Sequence, residues 1–422
     1  MKFFYQTITI IFFTAVLFSC DTNKKTVTEL PKSLSAKDIL GNPKYLAISY
    51  GGYRDTTRDN EPTIEEIKED VKILFAVGIR VLRTYNVQLK EASHLLKAIS
   101  ELKKENPNFE MYVMLGTWID CKNAWKSPIH TEESEQNAGE IERAVVLANQ
   151  YKDIVKIISV GNEAMVRWAT SYFVEPRIIL KWVNHLQELK KVNKLPKDLW
   201  ITSSDDFSSW GGDDASYHTP DLKKLVAAVD YISLHTYPFH NTHYRPAFWH
   251  VPANEEKLSK LEKIDAAMIR AQKFAKFQYD SVASYVKSLG ITKPLHIGET
   301  GWAAISDGFY GDEGSMAADE YKNALYYNLM RKWTKDAGIS CFYFEAFDER
   351  WKDAKNKNGC ENHFGLFTID GQAKYALWDW VDKGTFKGLT RNGKPITKTF
   401  GGDKNALLDK AMVPPIAKNN TK

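Results

Sequence analysis

Apolar positions along this chain follow two periods that take turns. Short, β-branched or aromatic runs occupy residues 44–50, 79–85, 111–115, 154–160, 199–202, 229–234, 295–297 and 339–344. Each has the length and composition of a buried strand. Between them the spacing shifts to threes and fours. Thr63 and Glu66 form a capping-box pattern ahead of Ile64, Ile67, Val71, Leu74 and Phe75. Residues 90–104 place Leu95, Leu96, Ile99 and Leu102 on one face, a long helix is expected over 266–289, and residues 317–335 end before Gly338, which suits a helix terminus. Eight strands alternating with helices in roughly 340 residues predict an α/β fold, a single (β/α)₈ TIM barrel. An open doubly wound sheet is the competing architecture, but no Gly-rich phosphate loop follows the first run.

The ends of the chain break this pattern. Lys2 precedes an apolar run from Phe3 to Phe18, closed by Ser19-Cys20. The run is shorter than the ~20 residues a membrane-spanning helix needs, so residues 1–20 read as a signal peptide. Cys20 after a small residue resembles a bacterial lipobox, which would make it the lipid attachment site of an exported protein, anchored to an outer membrane or cell surface. Ordinary secretion with nearby cleavage is the alternative. Residues 21–40 are polar and read as a tether, 41–383 as the catalytic domain, and 384–422 as an extended or partly disordered tail. The sixth connection, 239–263, is long and rich in His, Tyr, Trp and Pro, as expected of a cleft wall.

Composition narrows the function. A net charge of +4 over 422 residues gives no support for a nucleic-acid partner. The 12 Trp, 20 Tyr and 21 Phe include several that directly follow strands, where rings can stack on sugars. Trp118, Trp210 and Trp249 are candidates for outer subsites. Besides Cys20 there are Cys121, Cys341 and Cys360. A disulfide between Cys121 and Cys360 and a set of free thiols are both open, and no CxxC or His-x-Cys cluster suggests zinc. No metal or cofactor is expected, and a monomer is the expected state.

Two strand-like runs end in a carboxylate, at Asn162-Glu163 and Gly298-Glu299. Carboxylates at the carboxyl ends of barrel strands sit where such folds keep their chemistry. A pair of them suits glycosidic cleavage, one as proton donor and one as nucleophile or stabiliser. Glu163 suits the acid, with the Asn162 amide placed to donate to a sugar 2-hydroxyl. Glu299 suits the nucleophile, and Trp302 is expected to floor a sugar site. Glu345, on an aromatic strand, is expected to face inward. Asp348 and Glu349 have a plainer reading as ion-pair partners of Arg350 or Lys352.

The segments 160–163, 233–239, 297–302 and 342–352, with Arg83-Thr84-Tyr85, resemble glycoside hydrolase family 17, the β-1,3-glucanase family of a large (β/α)₈ clan. The resemblance covers residues 44–380. It implies a retaining hydrolase acting on β-1,3-glucan of the laminarin type, endo-acting, with Glu163 as acid/base and Glu299 as nucleophile. Transfer to a second sugar is the alternative outcome, and a non-catalytic glucan-binding surface lipoprotein is a third. The resemblance further implies that Tyr85, Asn162 and Tyr237 contact the sugar, with Glu345 and Glu349 at the eighth-strand rim. His235-Thr236 departs from the family, which often has asparagine and a small residue there.

Overall fold

A computed structural model describes residues 34–418; the stretch expected to be a signal peptide, Cys20 and the expected tether up to residue 33 lie outside the described residues. Eight parallel strands close into a barrel: β1 Leu46–Ser49, β2 Ile79–Arg83, β3 Tyr112–Thr117, β4 Val155–Asn162, β5 Trp200–Asp206, β6 Ile232–His235, β7 Leu295–Gly301 and β8 Cys341–Phe344. Each pairs with the next, and β8 pairs back to β1. Helices α1 Ile64–Ala76, α2 Lys90–Glu105, α3 Gln136–Gln150, α4 Pro176–Lys191, α5 Pro220–Ala228, α6 Lys260–Ser288 and α7 Glu320–Ala337 follow the first seven strands. The expected TIM barrel is therefore the fold.

Local chemistry explains the boundaries. Thr63 and Glu66 form the reciprocal capping box at the start of α1. Gly338 closes α7 with φ of 64°. The long α6 begins six residues ahead of the expected start, because Ser259 and Glu262 form a second capping box.

Inside the barrel, Ala47, Val81, Met114, Ile157, Tyr231 and Phe342 form an apolar lower layer. Ala36, Ile39 and Leu40 pack into that same layer from below. Residues 34–40 are thus a plug for the barrel floor, where the sequence suggested only tether. A one-turn helix, Ala36–Ile39, with its own capping box at Ser35 and Asp38, is too short to announce itself by periodicity.

The C-terminal stretch departs from expectation more strongly. Residues 384–418 are folded, with a hairpin pairing Thr390–Arg391 to Lys394–Pro395 and a helix over Lys404–Lys410. Arg391 is fully buried, 2.8 Å from Asp70 of α1, which also holds Arg54 at 2.9 Å and the Tyr50 hydroxyl at 3.1 Å. One buried arginine among Lys, Gly and Thr gives no apolar period, so pattern reading passed over a segment fixed by charge. Cys121, Cys341 and Cys360 are all free.

Arg391→Ala strands part of a buried carboxylate, and such a loss costs about 3–5 kcal/mol. Urea denaturation should register that loss. A cost below ~1 kcal/mol, the scale of an exposed pair, would mean the tail does not anchor the barrel.

Candidate active site

The upper layer of the barrel is polar where the lower is apolar. Alternation along β2 sends Val81 and Arg83 to the same inner face, one in each layer. Arg83 is 1 % exposed. Its guanidinium donates to the Gly298 carbonyl at 2.7 Å, to Glu299 Oε2 at 2.6 Å and to Asn162 Oδ1. The last contact turns the Asn162 amide so that its NH₂ is the end available to a ligand.

Strand β7 reaches the site through an irregularity. Its register with β6 shifts between Leu234 and His235, and its register with β8 shifts between Cys341 and Tyr343. The extra residue lets both Gly298 and Glu299 face the barrel interior, a bulge that re-aims a side chain at a functional site. A Cβ on Gly298 would lie 2.1 Å from Ser233 Oγ and 2.4 Å from Ser204 Oγ. Glycine is required by that close approach.

Glu299 accepts from Arg83 and from the Tyr85 hydroxyl (2.8 Å) on Oε2, and from the Tyr237 hydroxyl (2.6 Å) on Oε1. Burial pushes its carboxyl up. The positive charge of His235 when protonated, the Arg83 guanidinium and the two tyrosine hydroxyls outweigh that and hold it below the usual range. The side chain is therefore an ionised carboxylate with a lone pair left on Oε1, suited to nucleophilic attack.

Glu163 ends β4 in a different backbone state. Gly161 and Glu163 have φ of 85° and 46°, and the Glu163 amide donates to the Ser204 carbonyl at 2.9 Å. Its Oε1 lies 3.1 Å from His235 Nδ1. Beside it on β5, Asp206 is pushed up to about 6 by burial and by the charge of Glu163. Burial also raises Asp205, and the charge of Glu163 adds to that.

Glu163 and Glu299 both line a cleft of about 890 Å³. Tyr237, Phe344 and Phe364 furnish its aromatic surface, and Trp168, 67 % exposed, stands on the loop after β4. His240, Asn241, Tyr244 and Arg245, from the long sixth connection, supply one wall as expected. On the loop after β3, Trp125, 64 % exposed, stacks on Tyr172, which packs on Trp118 in turn.

Several sequence-predicted residues lie elsewhere. Trp302 is not a sugar floor: its indole is fully buried among Phe239, Trp249 and Tyr326 and donates to the Ala317 carbonyl. Past the bulge, alternation turns Thr300 and Trp302 toward the helices, and Phe344 and Phe364 are the rings that line the cleft instead. Trp210 and Trp249 are fully buried too. Glu345 and Glu349 do not line the cleft. Both bind Lys352, whose Nζ sits 4.0 Å from the Phe344 ring centroid, and Glu349 also accepts the Tyr53 amide at 3.1 Å. They hold the back of the Phe344 floor. Asp348 pairs with Lys374, not with Arg350 or Lys352.

Arg83, His235 and Asp206 carry roles that the candidate list missed. Their signal was a charged or polar residue in phase with the inward positions of a strand, next to its carboxyl end.

Residues 47–365 match the BtgE/BtgC glycoside hydrolase domain. The chain belongs to this glycoside hydrolase family. The hydrolase is also similar to an endo-laminarinase from Formosa Hel1_33_131, at 65% identity and a TM-score of 0.91, over 92% of this chain and 100% of that one. A glucan 1,3-beta-glucosidase of Arthroderma benhamiae is 26% identical over 62% of this chain and 70% of its own. A putative glucan endo-1,3-beta-glucosidase btgC of Aspergillus niger is 22% identical over 80% of this chain but only 40% of its own length.

The Glu299 contacts set a pH expectation. Removing the Tyr237 hydroxyl takes a donor from the carboxylate, so its protonation moves to higher pH. In Tyr237→Phe the acid limb of kcat/KM should therefore rise. An acid limb that stays in place or moves lower contradicts the role of this hydrogen bond.

Proposed function

We propose that the chain is a retaining, endo-acting β-1,3-glucan hydrolase of glycoside hydrolase family 17. The observation that carries this reading is Glu299, ionised and held by Arg83, Tyr85 and Tyr237, facing the same cleft as Glu163. Glu299 attacks the anomeric carbon while Glu163 gives its proton to the departing glycosidic oxygen. The glycosyl–Glu299 ester is then opened by water, whose proton returns to Glu163. The Asn162 NH₂ is turned to meet a sugar hydroxyl, and Phe344 packs under the ring. Exposed aromatic rings on the loops after β3 and β4 supply stacking surface for a polymer beyond the cleavage point, and the likeness to the Formosa endo-laminarinase supports laminarin as substrate.

Glu299→Gln should abolish release of reducing ends from laminarin. Glu163→Gln should lower it by about 10²–10⁴-fold, and much less on an aryl glycoside whose leaving group needs no proton. Proton NMR of the first products should show the β-anomer. An α-anomer would sink the retaining mechanism, and products longer than the substrate would identify transfer in place of hydrolysis.

We also infer export and lipid attachment at Cys20, on the strength of Lys2, the apolar run and Ser19-Cys20. Cys20→Ala should move the protein from the membrane pellet to the soluble fraction and abolish labelling by a fatty-acid probe. Unchanged partitioning and labelling would overturn the assignment.

A further inference from the structure

The partner of Glu163 is not an isolated side chain. His235 is fully buried, with Nδ1 3.1 Å from Glu163 Oε1 and Nε2 2.8 Å from Ser204 Oγ. Ser204 Oγ in turn lies 2.9 Å from Ser233 Oγ, and both serines are fully buried in the upper layer of the barrel. Gly298 makes room for them, since any side chain there would collide with both hydroxyls.

Hydrogen-bond arithmetic favours one direction along this chain. A neutral imidazole has one donor nitrogen and one acceptor, and each serine has one proton to give. If Ser233 donates to Ser204 and Ser204 donates to Nε2, the imidazole proton must sit on Nδ1, where it points at Glu163 Oε1. The opposite tautomer would present a lone pair to that oxygen. It would repel the carboxylate, and it would draw the acid's proton onto Oε1.

We propose that the Ser233–Ser204–His235 chain fixes the Nδ1–H tautomer and so reserves Glu163 Oε2 as the oxygen that carries the catalytic proton. His235 is then a positioning residue, acting through Glu163. Oε1 accepts from Nδ1–H whether the carboxyl is protonated or ionised. In the first step the proton leaves Oε2 for the glycosidic oxygen, and in the second Oε2 takes a proton from water. No proton passes through the imidazole, and its tautomer is the same in both steps. This deepens the acid/base reading of Glu163 and rests on it. An amide NH₂ of similar reach could also donate to Oε1.

Other groups feel the charge of Glu163 or His235. Asp205 and Asp206 face Glu163 from β5, Glu299 interacts with His235 from β7, and Tyr237 and Tyr172 follow β6 and β4. Arg83 of β2 pairs with Glu299 and also donates to Asn162, the residue before Glu163. None of them is substituted in the His235 or Ser204 variants, and an effect passed through Glu299 falls on the acid limb, so a shift of the basic limb reports on the chain.

Two measurements test the proposal. ¹⁵N NMR of the histidine-labelled protein should give His235 a protonated Nδ1 and an unprotonated Nε2 at the working pH, and Ser204→Ala should weaken that preference. The opposite tautomer in the unaltered protein overturns the proposal. Kinetically, His235→Leu removes the donor to the carboxylate. The basic limb of kcat/KM on laminarin should move to higher pH, kcat on laminarin should fall at least tenfold, and the rate of forming the glycosyl-enzyme from a dinitrophenyl glycoside should hold. His235→Asn should restore the limb. An unmoved basic limb with a change only in KM or melting temperature would reduce His235 to packing. The two levels of inference separate cleanly. If Glu163 is not the acid, Glu163→Gln stays active on laminarin whatever the tautomer; if only the positioning role of His235 is wrong, Glu163→Gln is inactive and the tautomer or the limb disagrees.

Discussion

A guanidinium sealed inside a closed sheet is the constraint on which this site depends. Taking an ion of that size out of water costs several kcal/mol even after relaxation. Arg83 offsets that cost only by reaching partners on two other strands, Gly298 and Glu299 on β7 and Asn162 on β4. The barrel must therefore bring β2, β4 and β7 to matching heights. The bulge in β7 follows from this demand, because without it Gly298 alone would face inward and Glu299 would point at the helices. One buried cation thereby favours the charged form of Glu299 and fixes its orientation and that of the Asn162 amide beside Glu163.

The two carboxylates illustrate how one barrel mouth gives two glutamates different surroundings. Glu299 has three donors, one of them the permanent cation Arg83, and all favour its charged form. Glu163 has a single imidazole contact and two more carboxylates, Asp205 and Asp206, on the adjoining strand. Residue type alone does not distinguish them, since both are glutamates at strand ends.

What could be read from the sequence follows the same physics. The eight strands and their helices were legible because burial enforces periods of two and 3.6, and capping boxes such as Thr63–Glu66 mark the boundaries. Glu163 and Glu299 were legible as carboxylates that end apolar runs. Trp302 was misread because a bulge is invisible to periodicity, and it reverses which side chains face inward after Gly298. The Glu349–Lys352 pair was legible as a neighbouring ion pair, but Glu345 and Glu349 were misplaced at the rim because Lys352 draws both behind Phe344. The floor plug at 34–40 and the tail at 384–418 escaped for a related reason. Each is held by a few specific contacts, an apolar cap in one case and the Arg391–Asp70 pair in the other, with no repeating stripe to announce them.

The walls of the cleft are held less tightly than its floor. Trp168 and Tyr244 are each more than three-fifths exposed, whereas Phe344 is 7 % exposed and backed by a buried lysine with two carboxylates. Binding energy at the centre can then be spent on orientation, because the residues there have little freedom left to lose. Stacking on the outer rings is tolerant of register, since each pyranose offers a similar face. A rigid centre with adaptable flanks suits cleavage at internal linkages of a flexible polymer, where the enzyme must grip any segment of the chain but distort only one ring.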